Sequence, residues 1–195
     1  RVGVLGAGSS AMDSAATALE SGASRVDLLI RRPDLPRVNK SKGAGAGITH
    51  GHHLLPDAAK WRLRHYINTS QVPPPRSSTL RVSRHMNAAY HFSCPVQAVS
   101  AQDDALHVRT PKKTFTFDFL IVSTGFKVDW AMRPEYASIA DHVRAWKHRY
   151  SAGADQADTE LADSPDLGPV FEFQERAAGA CPGLDRIHCF CCPAM

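Results

Sequence analysis

Residues 6–11 read Gly-Ala-Gly-Ser-Ser-Ala, a match to G-x-G-x-x-G/A, and this run limits the possible folds more sharply than any other feature. It follows the apolar Val2-Gly3-Val4-Leu5, a short buried strand by pattern. Ser9 to Gly22 then reads as a helix of small residues, with Met12, Ala15, Ala16 and Leu19 on one face and Gly22 as its stop. Arg25 to Ile30 is a second strand. Strand, helix and strand over about 30 residues make a βαβ unit with a right-handed crossover. Alone, the hexapeptide would equally suit a glycine-rich turn with an ordinary serine cap. Inside a βαβ unit it becomes a dinucleotide-binding turn.

Each position then has a task. Gly6 permits the tight turn, Gly8 lets backbone approach a pyrophosphate, and Ala11 is small enough for close helix–strand packing. The helix start offers free N–H groups and partial positive charge to the phosphates. The hydroxyls of Ser9 and Ser10 are further candidate donors. The second strand selects the dinucleotide. An NAD site carries an acidic residue near the end of this strand to bond the ribose 2′-OH, whereas here the strand runs into Arg31-Arg32. Two guanidiniums suit the 2′-phosphate of NADPH, although two solvated loop arginines would look the same. Asp27 lies too early in the strand for the ribose role.

Further along, Pro33, Pro36 and the Gly43–Gly47 run mark Arg31 to Gly51 as a mobile surface loop. Asp57 to Asn68 reads as a helix with Trp61, Leu63, Tyr66 and Ile67 as its apolar residues, and the prolines at 73–75 form a rigid connector. Pro95–Ser100, Ala105–Thr110 and Thr114–Phe117 alternate like a small β-meander. Asp118 to Thr124 looks like a fully buried parallel strand ending at Gly125. Pro134 to His148 spaces Tyr136, Ile139, Ala140, Val143 and Trp146 as an amphipathic helix would, and 151–168 is polar and acidic, a linker or long loop. The expected fold class is therefore α/β, a Rossmann-like βαβ dinucleotide-binding domain with a small β-meander.

Three features together resemble a known family: Gly6-x-Gly8-x-Ser10-Ala11, the arginine pair after the second strand, and Ser123-Thr124-Gly125-Phe126. They are similar to the NADPH half of flavin-dependent monooxygenases, among them the flavin-containing and N-hydroxylating monooxygenases and related FAD/NAD(P)-binding oxidoreductases. The resemblance covers residues 1–128 through these motifs. More loosely it extends to Pro182-Gly-Leu-Asp-Arg-Ile-His188, which looks like a return to the flavin domain. It implies a dinucleotide domain over 1–128. Residues 129–195 would hold a helix, an acidic loop and a partial remnant of the flavin domain. It implies NADPH and FAD as cofactors, with hydride passing from NADPH to FAD for O2 activation and oxidation of a small-molecule substrate. Thr124, Gly125 and Phe126 would line the cofactor. No side chain need act as acid, base or nucleophile, so no catalytic residue is named. The departure from the family is a missing second glycine-rich turn, which leaves the FAD site incomplete. With the apolar start at Val2, this reads as an internal or truncated segment of a longer protein.

Composition narrows the alternatives. A net charge of +4 from scattered Lys and Arg suits an anionic small ligand and calls for no nucleic acid. No apolar run approaches the roughly 20 residues that cross a bilayer. Five unevenly spaced cysteines and no signal peptide favour a reducing cytoplasm. Cys189 and Cys192 form a C-x-x-C pair, which keeps an NADPH-dependent flavin dithiol reductase open as an alternative, beside a non-catalytic nucleotide-binding fragment. His50, His52, His53 and His188 match no zinc spacing, so no metal is expected. The basic middle of the chain (Arg62, Arg64, His65, Arg81, Arg84, His85) reads as a solvated face or an anion contact. Nothing in the sequence speaks to oligomeric state.

Overall fold

A computed structural model describes residues 1–37, 46–70, 72–125 and 129–190. Seven strands run through it: β1 (Val2–Leu5), β2 (Val26–Leu29), β3 (Ala88–His91), β4 (Ala98–Gln102), β5 (Ala105–Arg109), β6 (Thr114–Phe117) and β7 (Phe119–Val122). The helices are α1 (Ser9–Glu20), α2 (Ala46–Gly51), α3 (Asp57–Ser70), α4 (Arg76–Ser83) and α5 (Thr159–Asp163). The chain divides into two compact units, residues 1–39 with 71–125 and residues 40–70 with 126–195. In this division the units meet at residues 125–126, and the 40–70 segment groups with the C-terminal residues.

The first unit is built on a parallel sheet in the order β3-β2-β1-β7. Val2 lies opposite Val26 on one side and Phe119 on the other, and β3 is parallel to β2. Side chains alternate across this sheet, so each strand feeds two cores. Val4, Val26, Leu28 and Ile30 pack on one face with Ala11, Met12, Ala15, Ala16 and Leu19 of α1 and Val82 of α4. Small residues on α1 let that helix approach closely. Leu5 and Leu29 point to the other face, with Cys94, Val108, Phe115 and Phe117. The antiparallel sheet β4-β5-β6 supplies Val108, Phe115 and Phe117. A Cβ at Gly3 would lie 2.6 Å from the Phe117 ring, so this strand residue has room only for hydrogen. The α/β architecture with its small β-meander is as the sequence implies.

Between these layers lies a buried charge cluster. Asp27 is fully buried in β2. Its carboxylate accepts from Arg1 Nε at 3.0 Å and Arg25 Nε at 3.1 Å, with His91 Nε2 at 2.7 Å. An ionised carboxylate only accepts, so His91 carries its proton on Nε2. Burial pushes the Asp27 carboxyl up, but the bonds from Arg25, His91 and Arg1 outweigh it and hold the group below the ordinary carboxylate value. A depressed native pKa stabilises the fold above the unfolded value of about 3.9, and the contribution is lost as pH falls through the native value. Asp27→Asn should therefore cost about 2–3 kcal/mol at pH 7, because it leaves the cations facing a neutral amide. The penalty should vanish in strong acid. Urea midpoints for both proteins across an acid series check this, and a penalty independent of pH would count against it.

The second unit, taken by itself, is held by Trp61 of α3. Its ring meets Trp146 at 6.4 Å and Tyr150 at 5.7 Å, and its Nε1 donates to the Gln156 carbonyl at 2.9 Å. Leu161 of α5 joins this cluster. Arg149 donates to both oxygens of Asp57, at 2.8 and 2.7 Å, and to the buried Asp166 at 2.9 Å. Arg144 completes Asp166 at 2.7 Å. Val143, Phe173, Leu184 and Cys189 form a second small core.

Several local expectations need correction. The loop expected over Arg31–Gly51 ends in helix α2, while Gly43 to Gly45 lie outside the described residues. In place of one helix over Pro134–His148 there are separate 3-10 turns at Pro134–Tyr136, Ala140–His142 and Trp146–His148. The cause is tertiary: Arg144 N–H donates to the Gln174 carbonyl at 2.8 Å and Trp146 N–H to Ser164 at 2.9 Å, drawing these amides out of any helical ladder. Val143 and Ala145 are bridged to Glu175 and Pro165. The acidic stretch 151–168 is no plain linker either, since it holds α5 and buries Leu161, Ser164 and Asp166. Strand β7 is parallel but not fully buried: it lies at the edge of its sheet, and Phe119 and Val122 are exposed. Helix α4 and strand β3 had no counterpart among the expected elements.

Candidate dinucleotide site

The glycine turn joins β1 to α1 as the motif requires. Gly6 has φ +128°, and a Cβ there would collide with the Ser123 carbonyl oxygen and sit 3.3 Å from the Ala11 Cβ. Hydrogen is the only side chain that fits. Gly8 is different. It is the N-cap of α1 with φ −85° and ψ −173°, it is exposed, and a Cβ there would meet nothing within 4 Å. Open space beside a helix start is the approach that a pyrophosphate needs. No side chain caps α1, and no acidic residue stands in its first turn. The first amides of α1 therefore keep their hydrogen-bonding capacity and partial positive charge. Ser9 and Ser10 are exposed beside them, and Ala11 is fully buried against the sheet.

Arg31 and Arg32 follow β2, the strand beside β1, and so extend from the same end of the sheet. Arg31 is exposed and Arg32 half-buried. Among the described residues neither side chain has an ion-pair partner. Partial burial, followed by the charge of Arg31, pulls the Arg32 guanidinium below its ordinary value. Two uncompensated, mutually repelling cations favour an anion between them. Asp27, by contrast, is committed to the interior cluster, which fits its exclusion from any ribose contact.

Thr124 and Gly125 leave β7 on the other side of β1. Ser123 N–H donates to the Leu5 carbonyl at 2.9 Å, which fixes the end of β7 against the glycine turn. Ser123 was not among the expected site residues, because only the fold shows its carbonyl beneath Gly6. Gly125 has φ +102° and open space around it. Phe126 lies outside the described residues. Since β1 connects to β2 on one side and pairs with β7 on the other, the strand order reverses between β1 and β7. Ligands of open α/β sheets bind in the crevice at such a reversal, outside the carboxyl ends of the strands. The structure thus gathers Gly6, Gly8, Ser9, Ser10, Ala11, Arg31, Arg32, Thr124 and Gly125 at the carboxyl ends of β1, β2 and β7.

Other candidate chemistry is less developed. Cys189 is buried, and Cys192 lies outside the described residues. Among the described residues no group of three His, Cys, Asp or Glu side chains could hold a metal. No helix among them is long and apolar enough to cross a membrane.

The sheet order and glycine turn define a Rossmann-type fold unit. Comparison with known proteins finds a likeness to flavin-dependent hydroxylases and monooxygenases. The chain is 37% identical over 191 residues to a FAD-dependent urate hydroxylase from Xanthomonas campestris, a match taking in 97% of this chain and 40% of that protein. The chain therefore spans about two fifths of the length of that relative. No protein-family profile matches. Among solved structures, L-lysine 6-monooxygenase from Pseudomonas syringae aligns with a TM-score of 0.62 at 15% identity, over 90% of this chain and 43% of that one. Ornithine hydroxylase from Pseudomonas aeruginosa gives 0.61 at 14% identity, over 89% and 42%. Ornithine N-hydroxylase from Kutzneria sp. 744, solved with FADred, NADP+ and L-orn, gives 0.59 at 12% identity, over 90% and 44%. Likeness at these identities speaks to the fold.

Proposed function

We propose that this chain is the NADPH-binding portion of a flavin-dependent monooxygenase that also uses FAD and oxidises a small-molecule substrate. The observation that carries the reading is the open Gly8 beside an uncapped α1, at the same carboxyl end of the sheet as the uncompensated Arg31–Arg32 pair. The similarity to a FAD-dependent urate hydroxylase supports the flavin assignment, and the fold shared with an ornithine N-hydroxylase solved with FADred and NADP+ supports both cofactors. When bound, the two cofactors would supply the redox chemistry, a hydride donor and a flavin able to activate O2. The chain's own residues bind and orient. The amides of α1 and the Ser9 and Ser10 hydroxyls donate to the pyrophosphate, Gly6 and Ala11 hold the turn against the sheet, and Arg31 and Arg32 clasp the 2′-phosphate. Thr124 and Gly125 would line the path of the nicotinamide half.

The double variant R31Q/R32Q tests this reading. It should weaken NADPH binding by about 10- to 100-fold, roughly 1.4–2.7 kcal/mol, and leave NADH binding unchanged. Fluorescence titration with both dinucleotides measures the two affinities. Equal losses for NADPH and NADH, or a wild-type preference for NADH, would overturn the assignment.

A further inference from the structure

The exit of β3 departs from a regular ladder beside the arginine pair. β3 lies parallel to β2, with Leu28 opposite Tyr90 and Leu29 opposite His91. Carried one residue further, that register sets Ile30 opposite Phe92, and Ile30 N–H donates to the His91 carbonyl at 2.9 Å as the register requires. The next bond of a regular ladder would run from Ser93 N–H to the Ile30 carbonyl. Cys94 makes that bond instead, at 2.8 Å. Ser93 is thus one extra residue, a β-bulge, and it stands at φ +49°, in the left-handed region. The side chains record the same insertion. Tyr90 and Phe92, stacked at 6.3 Å, pack on the α1 face of the sheet, and His91 meets Phe115 on the other. Strict alternation would return Cys94 to the α1 face, yet it is buried among Leu5, Leu29, Phe115 and Phe117. Released from the ladder, the Ser93 N–H donates to the Arg32 carbonyl at 2.7 Å. The segment bearing Arg31 and Arg32 is therefore tied to the β3 exit at both ends, through the carbonyls of Ile30 and Arg32.

We propose that Ser93 is a positioning residue for the arginine pair, and that its bulge secures the preference for NADPH over NADH. The inference rests on the assignment of Arg31 and Arg32 to the 2′-phosphate. A non-glycine residue in the left-handed region persists only where its surroundings fix it. Here Phe92 and Cys94 do so, packed on opposite faces of the sheet. What the bulge gains is a fixed Arg32 backbone. A guanidinium carried on a fixed backbone loses less freedom on binding, so its bonds to a phosphate keep more of their strength. The tie from Ser93 uses main-chain atoms alone, and its exposed side chain need not touch the ligand.

The experiment is fluorescence titration of the full chain and its variants with NADPH and with NADH. Ser93→Pro removes the N–H and forbids a positive φ. Ser93→Val keeps the N–H but disfavours the left-handed conformation, whereas Ser93→Gly keeps the N–H and adopts that conformation freely. The ratio of NADPH to NADH affinity should fall about 10-fold in Ser93→Pro, fall about 3-fold in Ser93→Val and hold in Ser93→Gly. NADH affinity itself should stay unchanged, whereas a residue that only supported the fold would weaken both dinucleotides alike or neither. Added to R31Q/R32Q, Ser93→Val should lower the ratio no further, because the guanidiniums it positions are gone. Should Ser93→Pro fail to fold, Ser93→Val decides alone. A ratio that R31Q/R32Q lowers and Ser93→Val leaves at the wild-type value overturns the positioning role and leaves the arginine assignment standing. A ratio that R31Q/R32Q does not lower overturns both.

Discussion

Gly8→Asp should make the protein more stable and, at the same time, unable to hold NADPH. Gly8 is the N-cap of α1 in an extended conformation that any L residue adopts, and the space beside it is open. An aspartate there would accept from the free amides of the first turn and place a negative charge at the positive end of the helix. Such a cap is worth roughly 0.5–1 kcal/mol over no side-chain cap. The same carboxylate would occupy the volume and the amides that a pyrophosphate requires, and would repel it. NADPH affinity should fall at least 100-fold, about 2.7 kcal/mol. Gly8→Asn separates the causes, since it caps comparably without the charge. Thermal melting and dinucleotide titration on the three proteins check both signs. A stable Gly8→Asp protein that still binds NADPH normally would mean that the ligand does not lie over this turn.

Gly6→Ala should fail in the opposite way, by destabilising the fold. Its φ of +128° is a region that L residues rarely adopt, and the new Cβ would run into the Ser123 carbonyl oxygen. Unfavourable backbone conformation and overpacking each cost about 1–3 kcal/mol, so a loss of about 3 kcal/mol or more is expected. The melting temperature should drop by roughly 10 °C. Because Ser123 belongs to the end of β7, relief of the clash would part β7 from β1 and disturb Thr124 and Gly125 as well. Two glycines of one motif, two residues apart, thus do separate work. Gly6 holds strands together, and Gly8 keeps a door open. A Gly6→Ala protein as stable as wild type would show that the turn can relax without moving β7.

The glycine turn, the first two strands and the meander were legible because their signals are local. The turn chemistry, the small-residue helix face and the period-2 alternation all lie within short windows. Arg31 and Arg32 were legible as a pair because they follow β2 directly. What could not be read depended on partners distant in sequence. Val143 and Trp146 sit at helical spacing, yet carbonyls of residues 164 and 174 take the nearby amides. Strand β3 carries Ala88, Ala89 and Tyr90 without strict alternation, since its identity comes from pairing with β2. The polar look of 151–168 concealed Asp166, which is buried because Arg144 and Arg149 meet it there. Lys60 gave no sign in sequence of being buried, because its helix has a weak apolar face and relies on Trp61 alone for its anchor. The role of Ser123 likewise emerges only once β7 is seen beside β1.

The alternation of the two units along the chain governs the order in which they can be completed. The chain passes between them three times, at residues 39–40, 70–71 and 125–126. As synthesis proceeds from the N-terminus, β1 and β2 wait for β7 to finish their sheet. Helix α3 waits longer still. The bond from Trp61 to Gln156 spans 95 residues and that from Arg149 to Asp57 spans 92. In that interval Trp61 lacks Trp146 and Tyr150, and Asp57 lacks Arg149. Such a segment is slow to settle and prone to non-native association, since loop closure must precede its contacts. A nascent chain stopped at residue 128 would hold all four described parallel strands, together with an α3 whose partners at residues 146–156 have not yet been made.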